Sequence, residues 1–175
     1  MRVGADVLIM AGIIFCAQAG SVSAQTPDYV DHRLESCFDD QLEVRFDCHP
    51  DWEVHFNDQS DIFVISEDPA VLLTIARRET DFKSLEQLTP GVLEEFAQYA
   101  DGFRTERVSI DGIPAIRVKA FDRTYPQIRL ADHYFLKDGY LYMIFFSVTP
   151  RKAWDDYRYL LRDVLQSFQF EPLPE

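Results

Sequence analysis

Leu42, Val44, Phe46 and Cys48 alternate with Glu43, Arg45 and Asp47. A period of two predicts a strand with one wet face. Pro50-Asp51 turns the chain, and "WEVHF", Trp52 to Phe56, repeats the alternation. "NDQSD" reads as a turn before a third strand, "IFVIS", Ile62 to Ser66, apolar on both sides. Beyond Pro69, "AVLLTIARRE", Ala70 to Glu79, is β-branched and apolar enough to be a fourth strand. The period then lengthens. Leu85, Leu88, Val92, Leu93, Phe96, Ala100 and Phe103 recur in steps of three and four, which predicts an amphipathic helix. Thr89 can cap it with Pro90 at the first helical position, or Ser84 can cap an earlier turn. Gly102 is placed to end the helix in a left-handed conformation.

Two β-rich pairs follow, "RVSIDGIPAIRVKAF" and "DHYFLKDGYLYMIFFSV". Each is divided by Asp-Gly, the strongest short hairpin signal. The stretch between them, Asp122 to Ala131, bends at Pro126. "LYMIFFSV" holds eight apolar-rich residues, far short of the about 20 that span a bilayer as a helix. It shows no alternation, so both its faces should be covered, as in the middle of a sheet roofed on both sides. Thr149 can cap the next element, with Pro150 first. Trp154, Tyr157, Leu161, Val164, Leu165 and Phe168 then form one helical stripe. Asp155, Asp156, Arg158, Arg162 and Asp163 fall mostly on the other side and read as a solvated face. "SFQF" returns as an extended tail. Strands, helix, two hairpins and helix predict an α+β protein: an α/β/α sandwich with a mostly antiparallel sheet flanked by one helix on each face. Trp154 should pack on that sheet.

The N-terminus does not fit this layered pattern. Arg2 precedes an apolar run, Val7 to Ala17, and Val22-Ser23-Ala24 resembles a peptidase site before Gln25. Residues 1–24 are therefore expected to be a secretory signal peptide. An acidic arm is expected over 25–41, the domain over 42–170 and a tail over 171–175. The 175-residue chain carries a formal net charge of -13. That sign repels nucleic-acid phosphates and anionic lipid heads and suits cations or basic protein surfaces; it also keeps an exported protein soluble. Cys37 and Cys48 remain after signal cleavage, and an even count in an oxidising compartment implies one disulfide between them. A periplasmic or secreted location follows.

Catalytic signatures are missing. The chain has no G-x-S-x-G, P-loop, H-E-x-x-H or EF-hand loop. None of the four histidines, His32, His49, His55 and His133, is spaced i, i+3 or i+4 from another. His49 and His55 with Asp47 and Asp51 make a weak divalent-metal cluster, more simply read as surface residues; Asp28, Asp31 and His32 make another. No catalytic residue, metal or cofactor is expected. Phe121, Tyr125, Tyr134, Tyr140 and Tyr142 either form an exposed contact patch or cover the sheet beneath its helices.

The ordered set of elements resembles the PsbP-like family. "FDCHPDWEV" is similar to its strand, Pro and Trp entry, "VSIDGIPAIRVKA" to its G-x-P-A hairpin, and Asp138 to Phe170 to its closing strand, capped helix and S-F-x-F ending. The family is named for an extrinsic protein of photosystem II and shares its fold with a small nuclear-transport factor that binds the GTPase Ran. The resemblance covers about Leu42 to Phe170 and implies a non-catalytic accessory or binding protein, commonly exported. The expected partner is an envelope protein, with no nucleic acid and no membrane span after cleavage. The alternative is a small-molecule or lipid carrier with a pocket between the sheet and the Ser84–Phe103 helix.

Overall fold

The computed structural model describes residues 35–39, 42–57 and 60–170. The expected signal peptide, most of the arm, the tail and the Asp28, Asp31, His32 cluster lie outside the described residues. The chain forms β1 (Glu35–Asp39), β2 (Val44–Cys48), β3 (Glu53–Asn57), β4 (Ser60–Glu67) and β5 (Ala70–Glu79) before α1 (Leu85–Tyr99). It continues with β6 (Ala100–Ile110), β7 (Ile113–Asp122), β8 (Arg129–Lys137), β9 (Tyr140–Thr149), a 3-10 turn (Arg151–Ala153), α2 (Trp154–Ser167) and β10 (Gln169–Phe170).

Seven strands make one antiparallel sheet in the order β3-β4-β5-β9-β8-β7-β6. The apolar strand β9 lies at its centre, as its lack of alternation requires. Helix α1 covers one face, burying Leu88, Val92 and Phe96; the Phe96 ring meets Tyr134 edge-on at 6.2 Å. Helix α2 covers the opposite face, where Trp154 meets Phe146 at 5.8 Å. The chain is thus the expected α+β sandwich. A small sheet, β1-β2-β10, shares the α2 face. Phe46 of β2 packs on Phe63 of β4 at 5.2 Å, and Phe170 of β10 on Tyr142 at 4.9 Å.

Both Asp-Gly turns carry positive φ at both residues, 48° and 74° at Asp111-Gly112 and 51° and 84° at Asp138-Gly139. These are the dihedrals that match the right-handed twist of paired strands. Other local expectations are corrected. Residues 35–39 are not a plain arm: β1 pairs antiparallel with β2, which brings Cys37 and Cys48 together at a Cα separation of 5.7 Å, and they are bonded. Of the two caps the sequence offers, it is Ser84 and not Thr89-Pro90 that precedes α1. The Ser84 carbonyl accepts the N–H groups of Gln87 and Leu88, and the Gln87 side chain accepts the Lys83 N–H at 2.8 Å. That closes a turn which Pro90, inside the helix, need not begin. Gly102 does not end the helix. It sits at φ 60° where the β6–β7 register slips between Asp101 and Arg104, a bulge that uses the same backbone freedom. Pro150 does not open α2. Arg151 donates its N–H to the Gln127 carbonyl at 2.6 Å, which ties a 3-10 turn to the preceding loop and delays α2 to Trp154.

Candidate functional site

The β6–β8 half of the sheet turns a polar row toward α2. Strand pairing sets Arg117 opposite His133, Lys119 opposite Ala131 and Phe121 opposite Arg129. Glu106 on β6 pairs with Arg117 in turn. Alternation carries all of them to the face that holds Phe146 and Leu73. Helix α2 crosses over β9, presses Trp154 and Leu161 into that face, and leaves a cleft of about 740 Å³ above β6, β7 and β8. Arg117, Lys119, Arg129 and His133 line its floor, Arg158, Tyr159 and Arg162 its helical wall, and Asp111 one end.

Its charges are unequally compensated. On the wall, Arg158 lies 3.3 Å from Asp155 and Arg162 2.8 Å from Asp163, so each is neutralised within α2. On the floor, Glu106 serves two cations: Arg117 donates to its Oε2, and Lys119 Nζ lies 3.1 Å from its Oε1. Those bonds hold the Glu106 carboxyl below its usual range. Arg129 has no carboxylate partner among the described residues. Its guanidinium stacks over the Trp154 ring at 4.6 Å and the Phe121 ring at 5.5 Å, which fixes it in place without neutralising it. The floor therefore presents three cations against one carboxylate.

His133 lies at the inner end of this floor. It is 0% exposed, and neither ring nitrogen finds a hydrogen-bond partner among the described residues; Arg117 Nε is likewise buried and unpaired. Burial, then the charge of Arg117, push its pKa down to about 3; the Ile144 backbone opposes them, and Lys119 and Glu106 add smaller effects of opposite sign. It is a neutral imidazole at physiological pH.

Under α1 a different polar group is buried. Asp132 is 4% exposed, and burial raises its carboxyl well above the usual range, with Glu95 adding to the effect. Burial lifts Glu95 itself to about 7, with Arg78 opposing. Tyr99 and Tyr134 are raised with them.

The residues singled out from sequence are scattered. His49 Nδ1 accepts the Asp51 N–H at 3.2 Å, while His55 pairs with Glu53 at 3.3 Å. Among the described residues no group of three or more His, Cys, Asp or Glu could hold a metal ion. Of the five aromatics, Tyr134 and Tyr142 are buried and only Tyr125 is largely exposed, so most of them cover the sheet. The carrier alternative places its pocket under the Ser84–Phe103 helix. Leu88, Val92 and Phe96 seat α1 on the sheet, and the cleft opens beneath α2. The cleft itself was not foreseen, although the alternation of Arg117 and Lys119 with Ile116, Val118 and Ala120 carries its trace.

No family model and no curated protein matches the sequence. Solved structures do match. Cyanobacterial PsbP (CyanoP) from Synechocystis sp. superposes with a TM-score of 0.57 at 16% identity, over 89% of this chain and 98% of that one. The Saccharomyces cerevisiae Ran-binding protein Mog1p gives 0.53 at 11% identity, over 78% and 95%. LpqN, involved in cell envelope biogenesis of Mycobacterium tuberculosis, gives 0.51 at 9% identity, over 74% and 83%. The chain has the PsbP-like fold; at these identities the likeness extends to the fold alone. No helix among the described residues is long and apolar enough to cross a membrane.

Proposed function

We propose that this is an exported, non-catalytic accessory protein of the envelope that works by holding another protein, and that the cleft under α2 is where it does so. The observation that carries the reading is the concentration of Arg117, Lys119, Arg129, Arg158 and Arg162 around one cleft of a chain whose net charge is -13. Scattered surface charge keeps a protein soluble; charge of the minority sign gathered in a concavity selects a complementary group. The signal-like N-terminus and the Cys37–Cys48 bond support export. That Mog1p is Ran-binding and LpqN is involved in cell envelope biogenesis supports a fold used for contacts. The histidine in the cleft argues against general-base chemistry: it is fully buried, and a pKa of about 3 makes it a weak base at neutral pH.

A photo-crosslinking amino acid placed at Tyr159 or Leu165, in the cleft wall, should yield discrete adducts in intact envelopes. The same group at Glu94, on the exposed side of α1, should not. Adducts from Glu94 and none from the cleft would refute the proposal. The alternative, a carrier of small organic anions, is favoured only by the cleft's volume, which lies in the range of ligand pockets. Native mass spectrometry of freshly purified protein showing a bound anion would favour it.

A further inference from the structure

The floor cations leave the sheet at evenly spaced backbone levels, with the Arg117 and Lys119 side chains converging on Glu106 from there. Read along β8, the cations stand at the level of residue 129 (Arg129), residue 131 (Lys119, from the paired strand) and residue 133 (Arg117). Each step is two strand residues, about 6.6 Å. Same-side side chains of an extended peptide repeat at that same distance. A helix repeats at about 5.4 Å and would fall about 2.4 Å out of step after two repeats. Ala131, 0% exposed and small, keeps the middle of the floor low.

We propose that the partner segment held in this cleft is an extended acidic stretch whose carboxylates recur at every second residue, one for each of Arg129, Lys119 and Arg117. The inference rests on the cleft being the docking site. Three features point to an anion rather than to mere surface charge. Arg129 has no carboxylate partner among the described residues and is held rigid between Trp154 and Phe121. Arg117 and Lys119 share the single carboxylate of Glu106. The buried imidazole of His133 and the Nε–H of Arg117 have no hydrogen-bond partner among the described residues, so an entering carboxylate would supply an acceptor beside them. The wall cations Arg158 and Arg162, already paired within α2, shape the approach rather than the grip. The chain's overall negative charge does not forbid this. The screening length is about 8 Å at physiological ionic strength, so acids elsewhere on the surface are damped while floor contacts are not.

The test uses the full mature chain and two capped heptapeptides of identical composition, one with aspartates alternating with serines and one with its three aspartates contiguous. Affinities are read by calorimetry at about 50 mM and about 300 mM NaCl. The alternating peptide should bind at least about fivefold tighter than its isomer. Lys119→Gln, at a half-buried site, should erase most of that preference while leaving the circular dichroism spectrum unchanged. His133→Leu should weaken the alternating peptide as well. Equal affinity for the two isomers, no binding of either, or a preference that survives Lys119→Gln would each overturn the inference. If crosslinks from Tyr159 still form in that event, the docking site stands and only the spacing is wrong. If those crosslinks are absent too, the site itself is wrong.

Discussion

Replacing His133 with leucine should make the protein more stable, and the gain should grow as the solution is acidified. The imidazole is 0% exposed, set between Arg117 of β7 and Ile144 of β9, with neither nitrogen hydrogen-bonded among the described residues. Leucine is of similar volume, so the packing change is small. Removing a buried polar group without a partner recovers about 1–3 kcal/mol, which for a chain of this size raises the melting temperature by about 2–4 °C per kcal/mol. The pH component follows from the depressed pKa. Folded His133 titrates at about 3 against an ordinary 6.5. Between those values the unfolded chain binds a proton that the folded chain refuses. Wild-type stability from this source is therefore complete above pH 6.5 and is lost as pH falls toward 3. Taking the solution from pH 7 to pH 5 costs the wild type about 2 kcal/mol by linkage, and costs the variant nothing from this source. Other titrating groups, Glu95 and Asp132 among them, are common to both proteins and cancel in the difference. Urea denaturation of the two proteins at both pH values measures it. A variant less stable than wild type at pH 7, or a difference that does not widen at pH 5, would refute the account of His133 as a buried, unpaired base.

Trp154→Ala removes the ring that roofs β9 and supports Arg129, and should cost about 3–5 kcal/mol in chemical denaturation; an unchanged denaturation midpoint would contradict its burial. Glu95→Gln should flatten part of the pH dependence near neutrality. Burial lifts the Glu95 carboxyl to about 7, so its contribution is present below about pH 4.5 and fades as pH rises through 7. The melting-temperature gap between variant and wild type should therefore differ between pH 5 and pH 8. Gly112→Ala meets no neighbouring atom but forces φ 74° on a residue with a Cβ, and should cost about 1–2 kcal/mol in the same denaturation assay.

The sequence made the repeating parts of this fold readable because their signals are local. β5 occupies the very residues, Ala70 to Glu79, that its β-branched run marks out, and both Asp-Gly pairs form the turns they encode. β9 is central because a strand without a polar face has nowhere else to lie. Signals failed where two local solutions compete. Ser84 and Thr89-Pro90 both cap a helix in principle, and the Gln87 contact to Lys83 decides between them. Gly102 suits a helix end and a strand bulge alike. The small β1-β2-β10 sheet was only partly legible: β2 alternates and "SFQF" reads as extended, but β1 is acidic, and pairing with β2 is what makes the two-residue β10 a strand. The cleft was invisible for a further reason. Arg117 and Lys119, Arg129 and His133, and Arg158 and Arg162 come from three elements that meet only in the folded chain. Each pair by itself looks like one side of an ordinary strand or helix washed by solvent, and His133 looks like one more unpaired histidine.

The central position of β9 also bears on how the chain matures. Strand β9 pairs along its whole length with β5, from Ala70 opposite Thr149 to Glu79 opposite Tyr140, so a ribosome that has released everything up to Gly139 has made two separate three-stranded pieces, β3-β4-β5 and β6-β7-β8, with β5 and β8 each lacking a neighbour. Long-range pairing of this kind is slow to form and comes late. The two halves of the sheet thus become one body only when synthesis is nearly over, and β9 is the seam that joins them.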